Sequence, residues 1–196
     1  MIDTHPTTDT LILVVHEIYG QNSHMMHVCQ QLTAAGYAVL CPNLLERESP
    51  YEYAEEAEAY RSFMENVGFL RAAEKIKSVL REQKGRYARV FLVGYSAGAT
   101  VSWLLSEEEG LAGIVGFYGS RIRNYPDQSP RCPALLFFPE EERSFDVDEL
   151  IAQLSGREMV KVCQLAGRHG FSDPYSPAYQ ESSARQAHEK MLRFIL

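Results

Sequence analysis

The sequence predicts a three-layer α/β/α sandwich built on a trimmed, mostly parallel sheet of about six strands. Apolar runs of strand length recur along the chain. They lack polar alternation, as strands covered on both faces require. Between them the apolar residues switch to helical spacing, so strand and helix alternate along the 196 residues.

The six strand candidates are Leu11 to Val15, Tyr37 to Leu40, Val90 to Val93, Ala112 to Phe117, Ala134 to Phe138 and Met159 to Cys163, each bounded by turn residues. Met25, Val28, Cys29 and Leu32 line one face of a helix after the first strand. Val67, Leu70, Ala73, Ile76 and Leu80 line another before the third. From Cys41 to Tyr60, Pro42, Pro50 and an acidic run predict a loop and then a surface helix, with Tyr53, Ala57, Tyr60 and Met64 at helical spacing. The last helix has Ser176 as its N-cap candidate, Pro177 at its first position, and an apolar face of Ala184, Ala187, Met191, Phe194 and Ile195.

Length and composition set the frame. With 45% hydrophobic and 23% charged residues, the chain reads as one globular domain spanning 1–196. A net charge of -7 without any basic run argues against nucleic acid or an anionic membrane as partner. No apolar run approaches the roughly 18 residues of a membrane span. Met1 to Thr10 lacks the layout of a secretory signal, so a cytoplasmic location is expected. The four cysteines show no CxxC spacing and read as buried free thiols.

The strongest motif is Gly94-Tyr95-Ser96-Ala97-Gly98, placed between a strand and a helix carrying Val101, Leu104 and Leu105. A G-x-S-x-G turn in this setting is a nucleophile elbow. Its glycines give the backbone room, and the serine sits at a helix N-terminus where the Ala97 amide faces a developing oxyanion. Serine needs a base, and the base an orienting acid, in the chain order Ser, acid, His. His169 is the histidine that follows the last strand; His5, His24 and His27 come too early and read as solvated or structural, and His188 falls on a helix. The acid is expected after the Ala134 to Phe138 strand, where Glu140, Glu141, Glu142 and Asp146 all qualify. The loop His16 to Gly20 lies where a second oxyanion donor arises, assigned to the Ile18 N–H, with Glu17 beside the nucleophile. Tyr19, Tyr95, Tyr118 and Phe171 are candidate apolar pocket walls, or loop packing. No HxxxH or HExxH pair occurs, so no metal or organic cofactor is expected.

Several segments together resemble the dienelactone hydrolase family of α/β hydrolases: Val15-His16-Glu17-Ile18-Tyr19-Gly20, Gly36-Tyr37-Ala38-Val39, Cys41-Pro42-Asn43-Leu44, Val93 to Gly98, Gly116-Phe117-Tyr118-Gly119, Pro133-Ala134-Leu135 and Gly167-Arg168-His169-Gly170-Phe171. The resemblance implies an α/β-hydrolase fold and a triad of Ser96, Glu142 and His169. It also implies amide donors at Ile18 and Ala97, and Glu17 in the place of the family's glutamate near the nucleophile. Ser96 stands where the family's namesake enzymes carry cysteine. Asp173 stands where they carry a substrate-carboxylate arginine, which would repel an anionic substrate. The resulting expectation is a serine hydrolase acting on a small-molecule ester or lactone. A carboxylesterase or acyl-thioesterase, and a non-catalytic ligand-binding module, are the alternatives on the same fold.

Overall fold

In a computed structural model that describes residues 2–4 and 8–196, seven strands form one sheet in the order β1-β3-β2-β4-β5-β6-β7. The strands are β1 (Ile2–Thr4), β2 (Thr10–Val15), β3 (Ala38–Cys41), β4 (Arg89–Tyr95), β5 (Gly113–Phe117), β6 (Ala134–Glu141) and β7 (Val160–Arg168). β2 to β7 are mutually parallel, and β1 lies antiparallel on β3 at the edge. Sequence periodicity did not predict β1, because a three-residue edge strand needs backbone pairing rather than an apolar run.

Alternation along β2 builds a core on each face. Leu11, Leu13 and Val15 join Ile76, Trp103 and Leu150, so α3 (Gly68–Gln83), α4 (Ala97–Leu104) and α5 (Val147–Leu154) cover one side. Ile12 and Val14 join Met25, Val28, Leu32, Ala187 and Met191, so α1 (Ser23–Ala34) and α6 (Glu181–Ile195) cover the other. The three-layer sandwich is therefore the observed architecture. Among the described residues, no helix is long and apolar enough to cross a membrane, and all four cysteines are free thiols, Cys163 only half-buried.

Three predicted details shift. In the acidic segment, α2 (Glu56–Ser62) runs into a π-helical turn at Phe63–Val67 and then α3, and the buried stripe is Ala59, Phe63 and Val67. Ala57, Tyr60 and Met64 are exposed instead. Gly68 adopts φ 66° at the junction, which resets the helical phase. A face drawn from Val67 through Leu70 thus breaks there: Leu70 is 68% exposed and Phe69, Ala72, Ala73 and Ile76 face the core. The last helix starts at Glu181, with Ser176 and Pro177 in the preceding turn, where the Ser176 Oγ accepts from the Ala178 N–H.

Strand β6 outruns its predicted end by three residues and β7 by five, and the two stay paired as far as Glu141 and Arg168, across an irregularity between Pro139 and Glu141. This extension sets the height of the loops that follow them.

The elbow depends on close backbone packing. A Cβ on Gly98 would lie 2.0 Å from the Val15 carbonyl oxygen, and one on Gly94 would lie 2.2 Å from the Gly98 carbonyl oxygen. Gly98→Ala should therefore cost about 3 kcal/mol in urea unfolding. Gly156→Ala, at φ 87° with open space around it, should cost only about 1 kcal/mol. Equal losses would show that the elbow is not tightly constrained.

Candidate active site

The C-terminal ends of the parallel strands carry the site, as open α/β sheets dictate. Ser96 follows β4 with φ 50° and ψ -110°, a strained conformation for a non-glycine residue. Its N–H donates to the Phe117 carbonyl at 2.9 Å, which ties the elbow to β5. The Ser96 Oγ lies 2.9 Å from His169 Nε2. On the other side of the ring, His169 Nδ1 lies 2.6 Å from Glu142 Oε1. An ionised Glu142 can only accept, so Nδ1 carries the proton and Nε2 offers its lone pair to the serine.

Glu142 and His169 are each the next residue after a paired strand end, Glu141 and Arg168, which explains how two loops deliver them to one place. Among the four acid candidates, the Glu142 side chain is 6% exposed, whereas Glu140, Glu141 and Asp146 are solvent-facing. Asp146 instead caps α5, its carboxylate accepting from the Asp148 and Glu149 amides. Burial would depress the His169 pKa, but the Glu142 carboxylate, assisted by Glu17 and Glu56, outweighs it and raises the imidazole above its ordinary value.

A cavity of about 1010 Å³ opens over this group, and Glu17, Ile18, Tyr19, Ala97, Glu142 and His169 all line it. The backbone N–H groups of Ile18 and Ala97 have no hydrogen-bond partner among the described residues. Tyr19 forms part of the wall, together with Tyr53 and Tyr60 from the acidic segment. That segment thus walls the cavity, a role its sequence left open. Tyr95, Tyr118 and Phe171 do not line it. They are buried beneath, where Tyr95 stacks on Phe117 and Tyr118 packs between His169 and Phe171, so they act as loop packing.

Two histidines matter more than the sequence suggested. His16 is fully buried; the Leu44 N–H donates to its Nε2 at 2.9 Å, so its Nδ1 must donate to the Glu17 carbonyl at 2.6 Å. The neutral ring pins the loop that carries Ile18, and burial pushes its pKa down to about 4. His24, set aside by its position in the chain, is also fully buried. Its spacing with Val28 and Leu32 on the core face of α1 was the available signal. Its Nδ1 lies 3.8 Å from Glu17 Oε2 and 3.7 Å from Asp173 Oδ2. Asp173 also lines the cavity, but it is only 2% exposed and is held by the Tyr53 hydroxyl and the Tyr175 N–H.

Parallel sheet, strand-to-helix serine turn and a histidine after the last strand define a hydrolase of the α/β-hydrolase class. The chain belongs to the dienelactone hydrolase family, whose model matches residues 3–196. It is 40% identical over 168 residues to the uncharacterized protein YczH of Bacillus subtilis (strain 168), spanning 85% of this chain and 82% of that one. It is 29% identical over 208 residues to a carboxymethylenebutenolidase of Pseudomonas putida, spanning 94% and 84%. A crystal structure of a dienelactone hydrolase-like promiscuous phosphotriesterase from metagenomic libraries superposes with a TM-score of 0.76 at 15% identity, covering 98% of this chain and 87% of that one, which shows the shared fold.

The His16 pKa is lower folded than unfolded, so His16 contributes stability that is full above about pH 6.5 and lost as pH falls toward 4. The loss should reach about 3 kcal/mol. Comparing urea unfolding of wild type and His16→Gln between pH 7 and 4.5 isolates it: the wild-type curve should fall more steeply. Parallel curves would show that His16 does not need to be neutral.

Proposed function

We propose that the protein is a serine hydrolase that cleaves a small ester or lactone through an acyl-enzyme. The observation that carries this reading is the continuous chain from Ser96 Oγ to His169 Nε2 and from His169 Nδ1 to Glu142 Oε1. In this reading His169 takes the Ser96 proton as Oγ attacks the carbonyl carbon, and Glu142 stabilises the imidazolium that forms. The free amides of Ile18 and Ala97 receive the oxyanion. Collapse of the tetrahedral intermediate breaks the bond to the leaving oxygen, which takes the proton from His169. With a lactone that oxygen stays on the acyl group as a hydroxyl. Water, deprotonated by the same imidazole, then releases the acid and restores Ser96. No step needs a metal.

The family membership and the carboxymethylenebutenolidase relative support ester or lactone bonds as the target. The aromatic wall of Tyr19, Tyr53 and Tyr60 suits an apolar portion of the substrate. A cytoplasmic setting is part of the same proposal and fits the free thiols.

Fluorophosphonate labelling tests the mechanism directly. One equivalent should attach at Ser96, located by peptide mass spectrometry, and His169→Ala should abolish it. A folded wild-type protein that stays unlabelled would overturn the reading.

The pH profile offers a second check. Because His169 must be neutral to act and its pKa is raised, kcat/KM should fall on the acid side at a pH above 6.5. Glu142→Gln should move that limb to lower pH and reduce kcat about 100-fold or more. An unmoved limb with unchanged turnover would remove Glu142 from the triad.

A further inference from the structure

We propose that Glu17, His24 and Asp173 form a binding site for one divalent transition-metal ion, with Zn²⁺ the best match to its ligands. The three residues come from the loop after β2, the start of α1 and the loop after β7. One ligand atom from each lies within 4.8 Å of the others, and all three residues are buried.

Hydrogen bonding alone does not explain the cluster. His24 is fully buried, and neither ring nitrogen has a hydrogen-bond partner among the described residues. Its Nδ1 faces the gap between two carboxylate oxygens, 3.8 Å from one and 3.7 Å from the other, too far to donate to either. Ligands about 2.1 Å from a tetrahedral ion stand about 3.4 Å apart. An ion in this gap would therefore need inward movements of a few tenths of an ångström along the two imidazole edges, and up to about 1.4 Å along the edge between the carboxylates, whose ligand atoms lie within 4.8 Å.

Two carboxyl groups and an imidazole that meet in one buried place are costly unless a cation shares them.

The outer contacts match those that orient metal ligands. The Tyr53 hydroxyl donates to Asp173 Oδ2, the oxygen nearest His24, and the Tyr175 N–H donates to Oδ1. The Asn22 side-chain amide donates in turn to the Tyr53 oxygen. Glu17 and Asp173 also line the cavity, so a fourth coordination position opens toward it, to water or a substrate oxygen. One imidazole with two carboxylates favours zinc and its first-row neighbours over Mg²⁺ or Ca²⁺.

Chelator-stripped protein titrated with Co²⁺ tests the site, with Zn²⁺ as competitor and Mg²⁺ as control. The expected result is one equivalent bound per chain, with d–d bands of a nitrogen and oxygen site and no thiolate charge-transfer band, displaced by Zn²⁺ and not by Mg²⁺. Asp173→Asn should weaken binding at least 10-fold, and His24→Leu should abolish it, with circular dichroism checking that each variant is folded. Binding weaker than about 0.1 mM, a thiolate band, or unchanged affinity in a folded Asp173→Asn protein would overturn the proposal. The readout is a metal spectrum, so it stands or falls separately from fluorophosphonate labelling of Ser96.

Discussion

The close approach of the Gly98 backbone to the end of β2 is the contact on which the rest of the site depends. With 2.0 Å between an added Cβ and the Val15 carbonyl oxygen, no side chain fits there, so the elbow and the loop leaving β2 are pressed together. That contact brings Ile18 and Ala97 together into the cavity lining. It also explains why Ser96 tolerates φ 50°: the turn is held from β2 through Gly98 and from β5 through the Phe117 carbonyl.

Strand pairing does the same for the other two groups. The register of Glu141 against Arg168 brings the ends of β6 and β7 level, and the next residue of each strand is the one that meets its partner. His16 completes the frame. Its pinned neutral tautomer joins the Leu44 amide to the Glu17 carbonyl, so the loop that carries Ile18 is braced against the loop after β3.

Local chemistry decides what could be read from the sequence. The elbow and His169 were legible because each is a short motif whose neighbours in the chain are also its neighbours in space. Glu142 could not be chosen from Glu140, Glu141 and Asp146 on residue type. The selection is made by the length of β6 and its irregularity near Pro139, which turn one glutamate inward and leave the others to water or to the α5 cap. The aromatic residues show the same limit: composition places Tyr95, Tyr118 and Phe171 near the serine, but only packing puts them beneath it. Gly68 reset the helix phase and exposed Leu70, a change invisible to any face drawn across the junction.

His16 and His24 make an instructive pair, since both imidazoles are fully buried at the same end of the sheet. The fold gives His16 a partner for each nitrogen, an amide and a carbonyl, and so fixes its tautomer. Eight positions later it gives His24 none, and places two carboxylate oxygens just beyond hydrogen-bond reach of the same nitrogen. A core that satisfies one buried imidazole so fully can satisfy another, and a half-satisfied polar cluster is costlier than an apolar one. The cost falls beside the cavity, where the Tyr53 and Asn22 side chains orient Asp173 rather than relieve His24. That arrangement keeps His24 Nδ1 and the two carboxyl groups directed at one point, which is the condition for holding an ion there.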